Sequence, residues 1–343
     1  MKIVALIMAG GRGERFYPAS RIKLPKQFLC LTNDNETMIQ KTVKRISPLV
    51  DIKDTYILTN EMYKDLTKEQ LPGLPEENII LEPVSRNTAP AIELGVEKVK
   101  DKYDDALIIV LPSDHLIKDE NEFRRIISLG ADFAIKNNAL ITIGIKPNEP
   151  NTGYGYIHLG EQKGNLYKVN RFVEKPNLEK AIEYLNDGNY VWNAGMFIFT
   201  IKNIDNAFKA YMKKQYDILS KDTSKFSEVD SISIDYGIME KANNIYVIPG
   251  DFGWDDVGSW LAIERINGVD NNSNTILNKD TVTLETTRTT VKGDNDKLII
   301  TLGVDNLIVV ESNDVILVAS KDKISDIKKV IATLKEQGKD KFI

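Results

Sequence analysis

Short apolar runs alternate with segments of helical periodicity along the first 145 residues. The runs have the length of strands and lie at residues 3–8, 55–59, 78–81, 106–111 and 139–145. Continuous apolar runs of this length are typical of strands that are buried on both faces. The alternation therefore predicts an α/β fold with a doubly wound, mainly parallel sheet.

One helix is well marked between two of these runs. It is predicted to begin at Thr88, with Pro90 in its first turn, where the missing N–H of proline costs nothing. Ile92, Val96 and Val99 then fall on one face at helical spacing. We expect this face to pack on the sheet.

The pattern changes after residue 150. Residues 153–200 are rich in glycine and aromatic residues, and the runs at 169–173 and 196–200 predict strands that extend the sheet. The polar stretch at 271–274 predicts a linker. Beyond it, strand-like runs at 281–284, 298–302, 307–310 and 315–318 lead to a helix in which Ile324, Ile327, Ile331 and Leu334 share a face. We therefore expect a large domain at 1–270 and a small C-terminal β-rich domain at 271–343 that ends in a helix.

Composition excludes several classes of protein. The net charge is −5, with 45 basic and 50 acidic residues interspersed, so a broad nucleic-acid-binding surface is not expected. Cys30 is the single cysteine and has no partner for an internal disulfide or a zinc cluster. No apolar run reaches membrane-spanning length, and the first one leads into a loop rather than a cleavage site. We expect a cytoplasmic protein with neither nucleic acid nor membrane as a partner.

A glycine-rich loop follows the first strand-like run. Gly10, Gly11 and Gly13 leave room for the backbone to approach an anion, and Arg12, Arg15 and Lys26 add positive charge. A polyphosphate suits such a site. Phe16 stands where a dinucleotide-binding fingerprint has its third glycine, and the Gly-Lys-Ser/Thr of a P-loop is missing. For the short glycine pattern alone, a tight turn with solvated arginines is an equally good interpretation.

The loop is the first of eight motifs that occur in order up to about residue 265. They are Gly-Gly-x-Gly-x-Arg (10–15), Pro-Lys-Gln-Phe (25–28), Glu-Pro-x-x-Arg-Asn-Thr-Ala-Pro (82–90), Pro-Ser-Asp-His (112–115), Asn-Thr-Gly-Tyr-Gly-Tyr-Ile (151–157), Phe-Val-Glu-Lys-Pro (172–176), Trp-Asn-Ala-Gly-Met-Phe (192–197) and Trp-Asp-Asp-Val-Gly-Ser-Trp (254–260). Together they resemble the sugar-1-phosphate nucleotidyltransferases, and in particular the mannose-1-phosphate guanylyltransferases of that family.

The resemblance implies a reaction and a fold. GMP would pass from GTP to mannose 1-phosphate, giving GDP-mannose and pyrophosphate, by metal-assisted in-line attack of the sugar phosphate on the α-phosphate. The sheet would be Rossmann-like, and the C-terminal domain would be a short left-handed β-helix, although no hexapeptide period is evident in its sequence. A homodimer is one option for the assembly.

Two aspartates are the candidate metal ligands. Asp114 follows the run at 106–111 and so comes after the carboxyl end of a predicted strand, where open α/β sheets bind ligands. Asp256 lies in a turn bounded by glycines, with Asp255 as a rival. Carboxylates suit Mg²⁺, and in the family pattern these two positions hold the metal. Taken alone, each aspartate is more often a helix cap or a turn residue.

The remaining candidates divide between the two substrates. Gly10, Gly11, Arg12 and Gly13 are predicted to bind the nucleotide, with Arg15 and Lys26 as catalytic cations. The Glu82 main chain and Asn87 can accept hydrogen bonds from guanine, although Asn87 could simply cap the following helix. Lys175 is expected to bind the sugar phosphate as a catalytic cation and Glu174 to accept from sugar hydroxyls. The resemblance adds Gly155 and Asn193 to the sugar pocket.

Other functions remain open at this point. A nucleotidyltransferase with another base or hexose 1-phosphate is the nearest alternative. A non-catalytic regulator that binds nucleotide sugars would need the cationic or metal-binding residues to be missing, and they are present.

Overall fold

The computed structural model describes residues 1–293 and 297–343, and contacts divide the chain into two compact units. The sheet unit comprises Met1–Gly10, Thr42–Ser113 and Ile117–Trp254. The loop unit comprises Gly11–Lys41, Asp114–Leu116 and Asp255–Ile343. The loop unit thus joins the glycine-rich segment to the C-terminal region. The boundary expected between residues 270 and 271 stays a prediction.

The helices and strands occur as follows. The helices are α1 (Met38–Ile46), α2 (Lys64–Gln70), α3 (Thr88–Lys100), α4 (Glu120–Asn137), α5 (Leu178–Asp187), α6 (Ile201–Tyr211), α7 (Lys213–Leu219), α8 (Ala262–Asn267) and α9 (Ile327–Glu336). The strands of the first 255 residues are β1 (Lys2–Met8), β2 (Thr55–Asn60), β3 (Ile79–Glu82), β4 (Ala106–Pro112), β5 (Leu116–Ile117), β6 (Leu140–Ile145), β7 (Tyr156–Lys163), β8 (Leu166–Val173), β9 (Tyr190–Thr200), β10 (Ile245–Gly250) and β11 (Trp254–Asp255). Those that follow are β12 (Thr275–Leu277), β13 (Thr281–Leu284), β14 (Thr290–Lys292), β15 (Ile299–Leu302), β16 (Leu307–Ser312) and β17 (Val315–Ser320).

The sheet unit is built on a nine-stranded sheet in the order β3-β2-β1-β4-β9-β6-β10-β8-β7. The pairs β1–β2, β1–β4, β2–β3 and β6–β10 are parallel. Only β8 and β9 run opposite to the other strands of this sheet. The predicted strands at 169–173 and 196–200 lie in these two. Seven of the nine strands thus run in one direction, as expected for a mainly parallel sheet, and every antiparallel pair involves β8 or β9.

Helices cover both faces of this sheet, because neighbouring residues of each central strand point to opposite sides. Val4 and Leu6 of β1 contribute to one apolar core, together with Ile92 and Val96 of α3. Ala5 of β1 contributes to a second core, which contains Phe123 and other residues of α4. Double-sided burial explains why the central strands read as continuous apolar runs.

The loop unit has an apolar core shared by segments that are distant in sequence. Phe16 follows the glycine-rich loop and packs on Trp260, with 5.2 Å between the ring centroids. Ile327 and Ile331 of α9 belong to the same core. Arg21 adds polar contacts to the C-terminal region, since its guanidinium lies 2.8 Å from Asp314 Oδ1. The C-terminal helix is therefore packed on the segment that carries the first two motifs.

The C-terminal strands pair mostly in parallel. β14 lies between β12 and β16 in parallel register, β13 pairs with β15 in parallel, and β17 closes the larger sheet antiparallel to β16. Residues 271–274 are an ordered turn and not a linker, because Asn274 is buried and its side-chain amide donates to Thr286 O at 2.9 Å. Ile324 falls in a 3-10 turn before α9 and still faces the core.

Among the described residues, no helix is both long enough and apolar enough to cross a bilayer.

Candidate active site

The loop unit contains a pocket of about 400 Å³ that brings most of the predicted phosphate and metal residues together. Its lining comprises Arg12, Gly13, Glu14, Arg15, Phe16, Lys26, Asp114, His115, Asp256, Gly258 and Lys328. Apart from Phe16, which follows the first motif, these residues come from four separate motifs and from α9. Cations and carboxylates that the sequence predicts to share one site therefore line the same pocket.

Gly13 allows the glycine-rich loop to approach Lys26. It has a φ of +61°, and a Cβ at this position would lie 2.5 Å from Lys26 Cβ and 2.6 Å from Lys26 N. Of the three glycines in the loop, this is the one with a positive φ, whereas a Cβ on Gly11 would have nothing within 4 Å. Among the three glycines of this loop, positive φ is thus confined to Gly13.

Lys26 is buried and holds two parts of the pocket. Its Nζ donates to Asp114 Oδ2 at 2.8 Å and to the main-chain oxygen of Asp256 at 2.6 Å. Burial of Asp114 tends to raise its pKa, but the charges of Lys26 and His115 and the hydrogen bond from Lys26 outweigh burial and leave the pKa below its ordinary value. Asp114 is therefore ionised at neutral pH, as a metal ligand must be.

The turn of Asp256 distinguishes the two neighbouring aspartates. Asp255 accepts the Val257 N–H at 2.7 Å and pairs with Arg265 at 2.9 Å. Asp256 instead lines the pocket, and a Cβ on Gly258 would lie 2.7 Å from its Oδ2. Val257 has a φ of +47°, which costs a β-branched residue on the order of 1–3 kcal/mol and is typical of functional turns.

The donor set fits a hard divalent ion bound by few protein ligands. The two candidate carboxylates, Asp114 and Asp256, line the pocket together with Glu14. Mg²⁺ takes one or two carboxylates from the protein, while water and phosphate oxygens fill its other positions. Within residues 1–293 and 297–343 there is no group of three or more side chains of the metal-ligating types that could enclose an ion. Asp114 and Asp256 would supply the protein ligands of such an ion, with water and phosphate oxygens as the others.

Gly11 belongs to the loop unit outside the pocket lining, whereas Gly10, Glu82 and Asn87 lie in the sheet unit. A Cβ on Gly10 would lie 3.0 Å from Glu82 Oε1. Burial raises the pKa of the Glu82 carboxyl to about 7, and its main-chain oxygen accepts from Asn60 Nδ2 at 3.4 Å. Asn87 caps α3, since its side-chain oxygen accepts the Thr88 N–H at 2.8 Å. The cap is thus present, and a role of Asn87 toward guanine stays a prediction.

The four predicted sugar residues are neighbours within the sheet unit. The Asn193 N–H donates to Gly155 O at 2.8 Å, and a Cβ on Gly155 would lie 2.6 Å from Glu174 Oε2. Lys175 pairs with Glu174 at 2.6 Å and has a φ of +45°. The small size of Gly155 thus makes room for the Glu174 carboxylate.

Sequence reasoning missed Asp235, which belongs to the same cluster. Asn193 Nδ2 donates to Asp235 Oδ1 at 3.0 Å. Burial and then the charge of Glu174 raise the Asp235 pKa to about 6. Asp235 begins a π-helical turn (Asp235–Met239), a conformation that is frequent at functional sites, but no spacing rule marks such a turn in one sequence.

Glu14 and Lys328 were missed in the pocket of the loop unit. Glu14 lies inside the first motif between two predicted residues, so its position was a usable signal. Lys328 comes from α9, more than 300 residues further along the chain, and no motif surrounds it.

Comparisons with known proteins agree with this description. Residues 4–273 match the family model "Nucleotidyl transferase", and residues 279–334 match "MannoseP isomerase/GMP-like beta-helix domain". A mannose-1-phosphate guanylyltransferase of Salmonella montevideo is 38% identical, over 99% of this chain and 76% of its own length. One of Escherichia coli (strain K12) is 37% identical, over 98% and 74% respectively.

A solved structure is similar over the whole chain. It is described as mannose-1-phosphate geranyltransferase from Thermus thermophilus, is 35% identical with a TM-score of 0.90, and the match covers 98% of this chain and 100% of that one. These similarities confirm the resemblance drawn from the motifs, the predicted fold class and the prediction of an enzyme. The chain therefore belongs to the nucleotidyl transferase family, with a C-terminal β-rich domain of the β-helix type.

Proposed function

We propose that this protein transfers GMP from GTP to mannose 1-phosphate, which yields GDP-mannose and pyrophosphate. The observation that carries the proposal is the pocket in which Arg12, Arg15 and Lys26 face the carboxylates of Asp114 and Asp256. The names of the curated relatives support the choice of GTP and mannose 1-phosphate.

The reaction joins two anions, so its main barrier is electrostatic. A phosphate monoester is already a nucleophile at neutral pH, and the enzyme must offset repulsion, align the attack and stabilise the leaving pyrophosphate. Arg12, Arg15 and Lys26 supply positive charge for this purpose. Lys26 also fixes the pocket itself, because it holds both Asp114 and the main chain at Asp256.

Asp114 and Asp256 would hold the metal in this proposal. Nucleotidyltransferases of this family generally use a divalent metal ion, and the paired carboxylates favour Mg²⁺. When bound, the ion would neutralise phosphate charge during transfer.

Hydrogen-bond acceptors of the sheet unit would recognise the base and the sugar. The Glu82 main chain and Asn87 would accept from the N1–H and amine of guanine, with Gly10 leaving room beside Glu82. Glu174 would accept from mannose hydroxyls, while Lys175 would bind the phosphate of the sugar. A cytoplasmic location and a homodimer stay predictions.

A substrate matrix tests the proposal. Four nucleoside triphosphates are crossed with mannose 1-phosphate and glucose 1-phosphate, and pyrophosphate release is measured. GTP with mannose 1-phosphate should give the highest specificity constant. A higher value with another pair would favour the alternative of a different base or hexose, and no release with any pair would favour a non-catalytic regulator.

A further inference from the structure

The helix α9 brings a lysine of the C-terminal domain into the pocket of the loop unit. Ile327 and Ile331 bury one side of α9 in the core that contains Phe16. Lys328 follows Ile327 and lines the same pocket as Arg12 and Arg15. The position of this lysine therefore depends on the core that packs α9 on the glycine-rich segment.

Lys328 is held only loosely by Glu14. Its Nζ lies 3.8 Å from Glu14 Oε2, which is beyond hydrogen-bond distance, and the two side chains are 61% and 36% exposed. Exposed ion pairs of this kind contribute little to stability. The ammonium group can therefore leave Glu14 for a stronger anion at little cost.

Lys328 also decides the net charge of the pocket. The other ionised side chains of the lining are three cations and three carboxylates, namely Arg12, Arg15, Lys26, Glu14, Asp114 and Asp256. They cancel in number, so Lys328 gives the side chains of the lining their net positive charge. This charge favours a triphosphate, which carries several negative charges.

We propose that Lys328 binds the pyrophosphate portion of the nucleoside triphosphate and contacts a phosphate oxygen after release from Glu14. This inference rests on the proposed function. It gives the C-terminal β-rich domain a direct part in substrate binding, in addition to its packing on the glycine-rich segment.

The test compares Lys328→Ala with a matched control, Lys329→Ala. Lys329 is the next residue of α9, is 79% exposed and pairs with Asp326 at 2.9 Å outside the pocket lining. Loss of one charge-assisted contact should raise the KM for GTP and the Kd for inorganic pyrophosphate by roughly tenfold, and Lys328→Arg should recover most of the loss. The KM for mannose 1-phosphate should change less than about twofold, and Lys329→Ala should behave as the parent protein. A Lys328→Ala variant that equals Lys329→Ala would overturn the inference.

A second set of variants, made in a protein that carries Glu14→Gln, distinguishes a direct contact of Lys328 with phosphate from simple neutralisation of Glu14. The effect of Lys328→Ala on the Kd for pyrophosphate should persist when Glu14→Gln is also present. If the effect disappears in that background, Lys328 acts only by masking Glu14 and the direct contact is wrong. Pyrophosphate contains neither base nor sugar, so its Kd tests the role of Lys328 separately from the proposed function. If the parent protein showed no guanylyl transfer, the proposed function would be refuted, and the Kd for pyrophosphate would still decide the role of Lys328.

Discussion

Replacing Glu93 by glutamine should remove a loss of stability that the native protein suffers as pH rises. Glu93 lies on α3 and is 1% exposed, and burial raises its pKa from 4.5 to about 8. Gln215 donates a hydrogen bond from its amide to Glu93 Oε2. In the part of the chain that the structure describes, Glu93 Oε1 and Gln215 Oε1 have no partner. A proton on the Glu93 carboxyl would remove a charge that is buried without a cationic partner in hydrogen-bond contact among the described residues.

The size and sign of the effect follow from proton binding. Between pH 4.5 and about 8 the folded protein keeps this proton while the unfolded chain loses it, so the free energy of unfolding falls as pH rises. The slope is about 1.4 kcal/mol per pH unit, and the total is on the order of 5 kcal/mol, after which stability levels off above the folded pKa. A glutamine at position 93 does not ionise and can form a reciprocal amide pair with Gln215.

Urea denaturation of the native protein, Glu93→Gln and Glu69→Gln between pH 5 and 8.5 checks this prediction. Glu69 is an exposed residue of α2 and serves as the control. The stability advantage of Glu93→Gln over the native protein should grow with pH, whereas Glu69→Gln should follow the native curve. Parallel curves for the native protein and Glu93→Gln would show that the buried carboxyl is not protonated in the folded state.

Three further predictions concern the chemistry of the site. Asp256→Asn should lower turnover roughly 100-fold without changing Tm, and full activity of this variant in excess chelator would exclude a metal role. Arg15→Ala and Lys26→Ala should raise the KM for GTP, whereas Lys175→Ala should raise the KM for mannose 1-phosphate by roughly tenfold. If all three variants lost affinity for the same substrate, the assignment of these residues to two substrates would be wrong. If residues 82–87 accept hydrogen bonds from both donors of guanine, the specificity constant for ITP should fall between those for GTP and ATP. The reason is that each buried acceptor left without a donor costs about 1–3 kcal/mol. Equal specificity constants for GTP and ATP would contradict this pocket.

The sequence predicts well those elements whose pattern is set by burial alone. The run at 106–111 becomes β4 because both faces of that strand are covered, and Thr88 begins α3 as expected. The direction of β9 could not be predicted, since it depends on pairing with β4 and β6 rather than on its own residues. Residues 271–274 look like a linker because their side chains are polar, but in the structure Asn274 is buried and its amide donates to the main-chain oxygen of Thr286.

In the candidate site, too, some residues could be predicted from the sequence and others could not. Residues inside motifs, such as Lys26 and Asp114, could be predicted because a family pattern surrounds them, and they do lie together in the pocket. Asp235 and Lys328 could not be predicted. One depends on a π-helical turn, and the other depends on how α9 packs on a segment more than 300 residues away.

The fate of labelled phosphate in GTP tests the central claim most directly. The protein is incubated with mannose 1-phosphate and GTP that carries its label on either the α- or the β-phosphate, and the sugar nucleotide is separated from pyrophosphate. Attack on the α-phosphate predicts that α-label enters GDP-mannose and that β-label leaves as pyrophosphate. Label from the β-phosphate in the sugar nucleotide, or no α-label in it, would contradict guanylyl transfer.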